Sequence, residues 1–391
     1  RGKIAIALQN SIPYLGLHFN RGGPRAGLSG TFFTVLAGAR TPAAPGQAAQ
    51  LAVKTRAERL AVLFRLCYTV HRYAYCGAAA PAEILSGPPA GERGIDMANY
   101  ILSCCSTADL TPEHFAARDI RYTCFHYSLD GVQHTDDLGK SMPLDRFYAA
   151  MVNGAETKTS QLNADEFIAY FTPFLEQGLD ILHLTLSSGI SGVVNSANLA
   201  RDELAEKYPD RKIYIVDSLS ASSGTGLFMD KLADLRDEGK SIDEVYQWAM
   251  DNRLKLHHWF FSSDLTFFVK GGRITKAAGW FGTALKICPL LNVDNQGRLI
   301  PRKKCRGKKR AMEECVKMME QHAQGGLDYA GKCYISQSAC LEDAQAVAAM
   351  VEAKFPRLNG KVEINTIGTT IGSHTGPGTV ALFFWGDERV D

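Results

Sequence analysis

Two stretches of this chain change character in the same way. Residues 180–186 form an apolar run, which ends in Ser187-Ser-Gly-Ile-Ser-Gly192 before a helical pattern reaches about Tyr208. Residues 212–216 repeat the sequence of events, ending in Asp217-Ser-Leu-Ser-Ala-Ser-Ser-Gly-Thr-Gly226 before a helix to about Glu238. A continuous apolar run bounded by turn residues is the mark of a strand buried on both faces. Strand, polar loop and helix in repeated order describe an open parallel α/β sheet. Ligands of such sheets collect beyond the carboxyl ends of the strands. Four polar loops, at Ser106, Thr159, Ser187 and Asp217, are therefore expected to gather on one edge.

The remaining elements follow from local signals. Residues 99–103 read as a strand. Thr111 reads as an N-cap with Pro112 at the first helical position. Residues 120–129 alternate like one strand, and Asp130-Gly131 is a hairpin signal. Helices are expected at 143–152, 163–177 and 241–255, with Lys158-Thr-Ser-Gln161 a polar loop between the first two. After Trp259 the strands at 332–337, 362–368 and 380–385 are separated by longer connections, and a helix spans 341–355. His374 falls in a Gly/Pro-rich loop, and a basic run covers 302–310. The fold class is thus α/β in two domains: a parallel α/β sheet domain over 97–260 and an α+β domain over 261–391.

Residues 1–96 differ from the rest. They carry 11 Lys+Arg against 4 Asp+Glu, whereas the remainder carries 32 against 37. They are rich in Ala, Gly, Pro and Arg, show helical periodicity only around 51–75, and contain no methionine before Met97. Gly91-Glu-Arg-Gly94 would be encoded by purine-rich codons, as a bacterial ribosome-binding site would be. The segment is expected to be translated upstream sequence, with the start at Met97; the alternative is a basic, disordered extension.

Several function classes are disfavoured. A net charge of +2 does not suit a dedicated nucleic-acid binder. No run of 18 apolar residues is present, so no membrane insertion is expected. Neither G-x-G-x-x-G nor G-x-x-x-x-G-K-[ST] occurs, so no nucleotide cofactor is implied. Ten cysteines lack C-x-x-C spacing, which reads as reduced thiols in a cytoplasmic protein with no metal site.

The serine loop at 187–192 supports three readings. Its hydroxyls can cap the next helix. Ser188 or Ser191 with His374 can form an esterase-like hydrolase, although Gly189-Ile-Ser191-Gly-Val193 lacks the second glycine of a nucleophile elbow in place. Hydroxyls beside helix N–H groups can also cradle a carboxylate or phosphate. His183 lies inside a strand and reads as a core or sheet-face histidine. Gly372, Gly376 and Gly378 around His374 suggest a shaped backbone. Arg273 follows two glycines, and its nearness to the basic run suggests a phosphate or acidic-partner patch.

The ordered set Cys105-Ser-Thr-Ala-Asp-Leu110, Lys158-Thr-Ser-Gln161, Leu186-Ser-Ser-Gly-Ile-Ser-Gly192, Val216-Asp-Ser218, Lys270-Gly-Gly-Arg-Ile274, Lys286-Ile-Cys-Pro289 and His374-Thr-Gly-Pro-Gly378 resembles the DegV family of bacterial fatty-acid-binding proteins. The resemblance covers essentially all of 97–391 and none of 1–96. It implies a long-chain fatty acid buried between two domains, in a protein that is not itself an enzyme. It places the carboxylate at Thr159 and Ser160 of the T-S-Q loop, at Ser187, Ser188 and Ser191, and at His374. Some family members serve a separate ATP-dependent fatty acid kinase, which makes the acyl phosphate. Arg273 and either Arg302 or Lys303 would face that partner. Phe267, Phe268, Trp280, Phe281 and Leu285 are expected to wall the tunnel. The chain departs from the family at Cys105, where the pattern has aspartate, and at Val193, where it has threonine.

Overall fold

The computed structural model describes residues 99–274 and 287–390, with the two-residue strands Phe32–Phe33 and Leu51–Ala52. The chain falls into two compact units, Arg1–Gly87 and Pro88–Asp391. The two short strands, which pair antiparallel, are what is described of the first unit. The helical periodicity beyond Ala52 lies outside the described residues, as do Met97, Trp280, Phe281 and Leu285.

The described residues of the second unit form three sheets. The first is all parallel, in the order β2-β1-β6-β7, from β1 (Tyr100–Cys105), β2 (Ile120–Thr123), β6 (Asp180–Thr185) and β7 (Ile213–Asp217). A small antiparallel sheet orders β4 (Val132–Thr135), β3 (His126–Leu129) and β5 (Thr157–Ser160), with β3 in the middle. The third is a six-stranded mixed sheet. Its order is β10-β9-β8-β13-β11-β12, from β8 (Leu256–Ser262), β9 (Ile287–Val293), β10 (Leu299–Arg306), β11 (Tyr334–Gln337), β12 (Glu363–Thr366) and β13 (Thr379–Trp385). A parallel sheet followed by an α+β part is the expected class. The boundary placed near 260 falls inside β8.

Three local expectations change. Residues 120–129 split into β2 and β3, which belong to different sheets, because the backbone N–H of Phe125 turns aside to the Ser106 hydroxyl, 3.1 Å away. The T-S-Q motif is not a free loop. Thr157–Ser160 is a strand whose backbone pairs with β3. His374 lies not in a loop but in α10 (Thr369–Thr375), a short helix that ends at the left-handed Gly376. A Cβ at Gly376 would come 2.2 Å from Phe267, so glycine meets both demands there.

The helices are as their caps dictate. In α1 (Pro112–Ala117), Thr111 accepts from the His114 N–H with Pro at the first turn. In α3 (Ala164–Glu176), Asn163 and Glu166 form a capping box, and Ser241 and Glu244 form another on α6 (Ile242–Asn252). The remaining helices are α2 (Leu144–Val152), α4 (Val193–Lys207), α5 (Ser223–Asp237), α7 (Thr266–Lys270), α8 (Lys308–His322) and α9 (Leu341–Lys354). α5 contributes Leu227, Phe228, Met229, Leu232, Ala233 and Leu235 to the core shared by the parallel and mixed sheets. α8 and α9 cover the opposite face of the mixed sheet through Cys315, Met319, Val347 and Val351. No helix among the described residues is long and apolar enough to cross a membrane. Cys104, Cys105, Cys288, Cys305, Cys315, Cys333 and Cys340 are free thiols.

Candidate functional site

A cavity of about 350 Å³ opens between the end of the parallel sheet, β5, α10 and the inner face of the mixed sheet. That is the lower end of the range for small-molecule sites. Its walls are mostly apolar: Phe125, Leu186, Phe260, Phe268, Val293 and Phe383. At the polar end stand Thr159, Ser160, Ser191, Arg273 and His374.

The position of α10 explains that polar end. The backbone N–H of Gly368 donates to Asp109 Oδ1 at 3.0 Å, and that of Thr370 to Asp136 Oδ2 at 3.3 Å. The Thr369 hydroxyl donates to Asp136 Oδ1 at 2.8 Å. Two buried carboxylates thus hold the first turn of α10, where helix N–H groups favour acceptors. Burial, followed by nearby Asp136, holds the Asp109 carboxyl well above the usual range. Thr370 and His374 then lie one turn apart on the same face.

β5 supplies the counterpart. Thr157 and Thr159 share one face of this strand. Thr157 donates to the Ser373 carbonyl at 3.4 Å, and Thr159 Oγ1 lies 2.7 Å from His374 Nε2. With the proton on Nε2, the imidazole donates to Thr159 and leaves the threonine O–H free for a third group. Gly271 packs on the other side of the ring, where a Cβ would lie 2.2 Å from Nδ1. Burial, with Arg273 nearby, pushes the imidazole down to about 4, so it is neutral at pH 7. Arg273 donates to the carbonyls of Ile190 at 3.2 Å and Gly271 at 2.6 Å. It makes no ion pair among the described residues, and burial lowers its pKa. The hydroxyls of Thr370 and Thr375, both lining the cavity, are buried without a partner among the described residues. A neutral histidine, an unpaired guanidinium and three hydroxyls with protons to give form an anion-accepting end on an apolar chamber.

The serine loop is placed differently from expectation. Ser187 is fully buried off the cavity wall, donating to the Gly297 carbonyl at 2.8 Å and accepting from the Gly189 N–H. It ties the parallel sheet to the turn between β9 and β10. Ser188 is exposed and also off the wall; its backbone N–H donates to Asp217 Oδ1. Ser191 does reach the cavity, with its hydroxyl donating to Gln161 Oε1 at 3.3 Å. His374 therefore pairs with a threonine and with neither serine of the hydrolase reading. Phe268 lines the chamber, whereas Phe267 packs with the small core of Tyr127 and Phe147. Arg302 and Lys303 lie on β10, exposed and away from the cavity. Arg302 donates to Asn292 at 2.8 Å and Lys303 pairs with Glu314 at 2.7 Å.

The two departures noted above are core positions here. Cys105 is buried 3.6 Å from His183 Nε2, and Val193 begins α4 in the same apolar cluster. His183 is fully buried; its Nδ1 lies 2.9 Å from the Ser103 hydroxyl and burial pushes it down to about 3. The sequence reading missed His258, Ser222 and Thr370 on the cavity wall. Ser222 had a legible signal, since it sits in the serine-rich run after β7. It adopts φ +55°, which a serine rarely does, and hydrogen-bonds Asp109.

Comparison with known proteins agrees with this architecture. A family model described as "Uncharacterised protein, DegV family" matches residues 105–387. A DegV domain-containing protein of Clostridium perfringens is 36% identical over 293 residues, covering 75% of this chain and 99% of that protein. A DegV family protein from Thermus thermophilus, whose structure was described for its fatty acid binding, superposes with a TM-score of 0.66 at 27% identity, over 74% of this chain and 99% of that one. The Streptococcus pneumoniae Fatty Acid Kinase (Fak) B3 protein, solved loaded with linoleic acid, shares the fold at 22% identity and a TM-score of 0.63, over 74% and 99% of the two chains. This chain belongs to the DegV family.

Proposed function

We propose that this chain binds one long-chain fatty acid in the cavity, with the carboxylate at the Thr159–His374–Arg273 end, and presents it to a partner kinase that makes the acyl phosphate. The observation that carries the reading is Arg273, with no ion pair among the described residues, beside a neutral His374 and two threonine hydroxyls that also lack a partner among those residues, all lining an apolar chamber. Each buried methylene contributes about 0.8 kcal/mol, so the tail supplies most of the attraction. Each hydrogen bond to the carboxylate adds about 1.5–3 kcal/mol and fixes which end points outward. The fatty acid binding described for the Thermus relative supports the ligand class, and the pneumococcal neighbour's description supports the kinase partnership. Arg273, Arg302 and Lys303 are the residues proposed to meet that partner.

Native mass spectrometry of protein purified without detergent, followed by lipid extraction, tests the binding step. One co-purifying fatty acid per chain, lost in the Thr159→Ala, Arg273→Gln double variant, is the expected result. An empty chain that refuses added fatty acids overturns it. A fluorophosphonate probe that labels the protein stoichiometrically, with labelling abolished by Ser191→Ala, would move the protein to the hydrolases instead.

A further inference from the structure

The mixed sheet carries a second cluster of chemistry-bearing groups on the face away from the cavity. His257 and His258 are consecutive on β8, so their side chains leave opposite faces. His258 lines the cavity. His257 stacks on His322, the last residue of α8, with ring centroids 4.9 Å apart. Asp387, just past β13, closes the group. His257 Nε2 lies 2.9 Å from Asp387 Oδ1, and His322 Nδ1 lies 3.2 Å from the same oxygen. One ligand atom from each of the three residues falls within 4.8 Å of the others.

The convergence is built by the backbone rather than left to mobile side chains. The Asp387 N–H donates to the His322 carbonyl at 2.9 Å, and the Gly386 N–H donates to the Lys255 carbonyl at 2.8 Å. Ala323 and Gly386 form an antiparallel bridge. A Cβ at Gly386 would lie 2.1 Å from the His322 carbonyl oxygen, so the close approach needs glycine. Phe384 stacks on the His257 ring at 5.3 Å and Trp259 on the His322 ring at 5.9 Å, which fixes both ring planes.

The geometry points to a binding site for one divalent transition-metal ion of the zinc class, held by His257 Nε2, His322 Nδ1 and an Asp387 carboxylate oxygen. Two imidazoles and one carboxylate are a nitrogen and oxygen donor set that suits zinc with a fourth position left open, whereas magnesium and calcium favour all-oxygen shells. Bonds of about 2.0–2.1 Å in a tetrahedron put ligand atoms about 3.3 Å apart. The observed 2.9 and 3.2 Å therefore need to open by only a few tenths of an ångström. The ion would replace whatever proton the ligands share. His257 forms a buried floor and Asp387 an exposed lip, which gives the ion an entry path. Bound there, it would clip the end of α8 to the segment after β13, on the far side of the sheet from the fatty-acid cavity. The three ligands are spread from 257 to 387, so no sequence spacing announces them.

The test is cobalt and zinc titration of the full chain after chelator treatment. One ion per chain is expected, with cobalt absorption bands of a nitrogen and oxygen site and no thiolate-to-cobalt charge transfer. His322→Ala and Asp387→Asn should each weaken zinc binding at least tenfold. Both change groups at the surface, and unchanged circular dichroism verifies folding. Zinc should raise the melting temperature of the parent protein and not of the variants. No binding, a thiolate band, or full affinity in both variants overturns the proposal.

Discussion

The loop that follows β6 and the helix α10 are both dense in hydroxyls, and Ser187 and Ser191 of the loop use theirs in the opposite way from Thr370 and Thr375 of the helix. In the loop, Ser187 donates to Gly297 and accepts from Gly189, while Ser191 donates to Gln161 and accepts from the Val193 N–H. On α10, the buried hydroxyls of Thr370 and Thr375 and Nδ1 of His374 have no partner among the described residues. A buried polar group without a partner costs about 1–3 kcal/mol. The Ser187 and Ser191 hydroxyls are satisfied by the fold and hold it together, as are those of Thr369 and Ser373 on α10. Those of Thr370 and Thr375 carry a penalty that a carboxylate bound beside them would remove. A count of serines in a motif does not distinguish the two cases; the inventory of partners does.

The contrast breaks most visibly at Arg273. Arg273→Gln removes the unpaired cation of the site. Fatty-acid affinity should fall about 10- to 100-fold, the worth of a charged hydrogen bond of about 1.5–3 kcal/mol. The melting temperature of the ligand-free protein should hold or rise, because a half-buried charge is gone. Displacement of a fluorescent fatty acid together with calorimetry reads both quantities. A fall in stability with unchanged affinity would make Arg273 a fold residue like Ser187.

Ser187→Ala is the mirror experiment. It leaves the Gly297 carbonyl and the Gly189 N–H short of a partner, so it should destabilise the fold by about 1–3 kcal/mol. Affinity should stay within about threefold, since such a change is under 1 kcal/mol. Urea denaturation with a parallel binding curve separates the two. A tenfold loss of affinity at constant stability would return the serine loop to the binding site.

The same contrast explains what was legible beforehand. The parallel sheet was readable because 180–186 and 212–216 are apolar without interruption, and caps such as Thr111 and Ser241 are chemically unambiguous. Thr159, Arg273 and His374 were readable as motif residues, and the structure brings all three to one cavity. What Ser187 holds was not readable. Its partner is a carbonyl 110 residues away, across a turn between two later strands. T-S-Q looked like a loop because its residues are polar. Its Thr159 and Ser160 are in a strand because β3 offers its backbone, which local sequence does not reveal. Thr370 was missed for the same reason, since its burial depends on Asp136 drawing α10 inward.

Thr370→Val sharpens the comparison at smaller scale. The change keeps the shape and deletes a hydroxyl without a partner. The ligand-free protein should therefore gain stability, by up to about 1 kcal/mol, whereas affinity falls about threefold to tenfold. Loss of stability instead would mean that the hydroxyl already has a partner in solution.

Two histidines extend the contrast to pH. His114 has both nitrogens occupied, Nε2 by Asp230 at 3.3 Å and Nδ1 by Glu363 at 3.2 Å. Those partners, Asp230 first, raise it to about 9. Its contribution is full below the unfolded value of about 6.5 and is lost as pH rises through 9. His374 is lowered to about 4 by burial, so its contribution runs the other way. It is present above about 6.5 and lost as pH falls toward 4, where the unfolded chain takes up a proton that the folded one refuses. Melting temperatures between pH 4 and 10 should thus fall on both limbs. His114→Asn should flatten the alkaline limb, a loss on the order of 1 kcal/mol at a partly open site. Loading with fatty acid should leave that limb unchanged and move the His374 titration upward in an NMR pH series, because a carboxylate beside the imidazole favours its charged form. A His374 titration that ignores the ligand would mean the carboxylate binds elsewhere in the cavity.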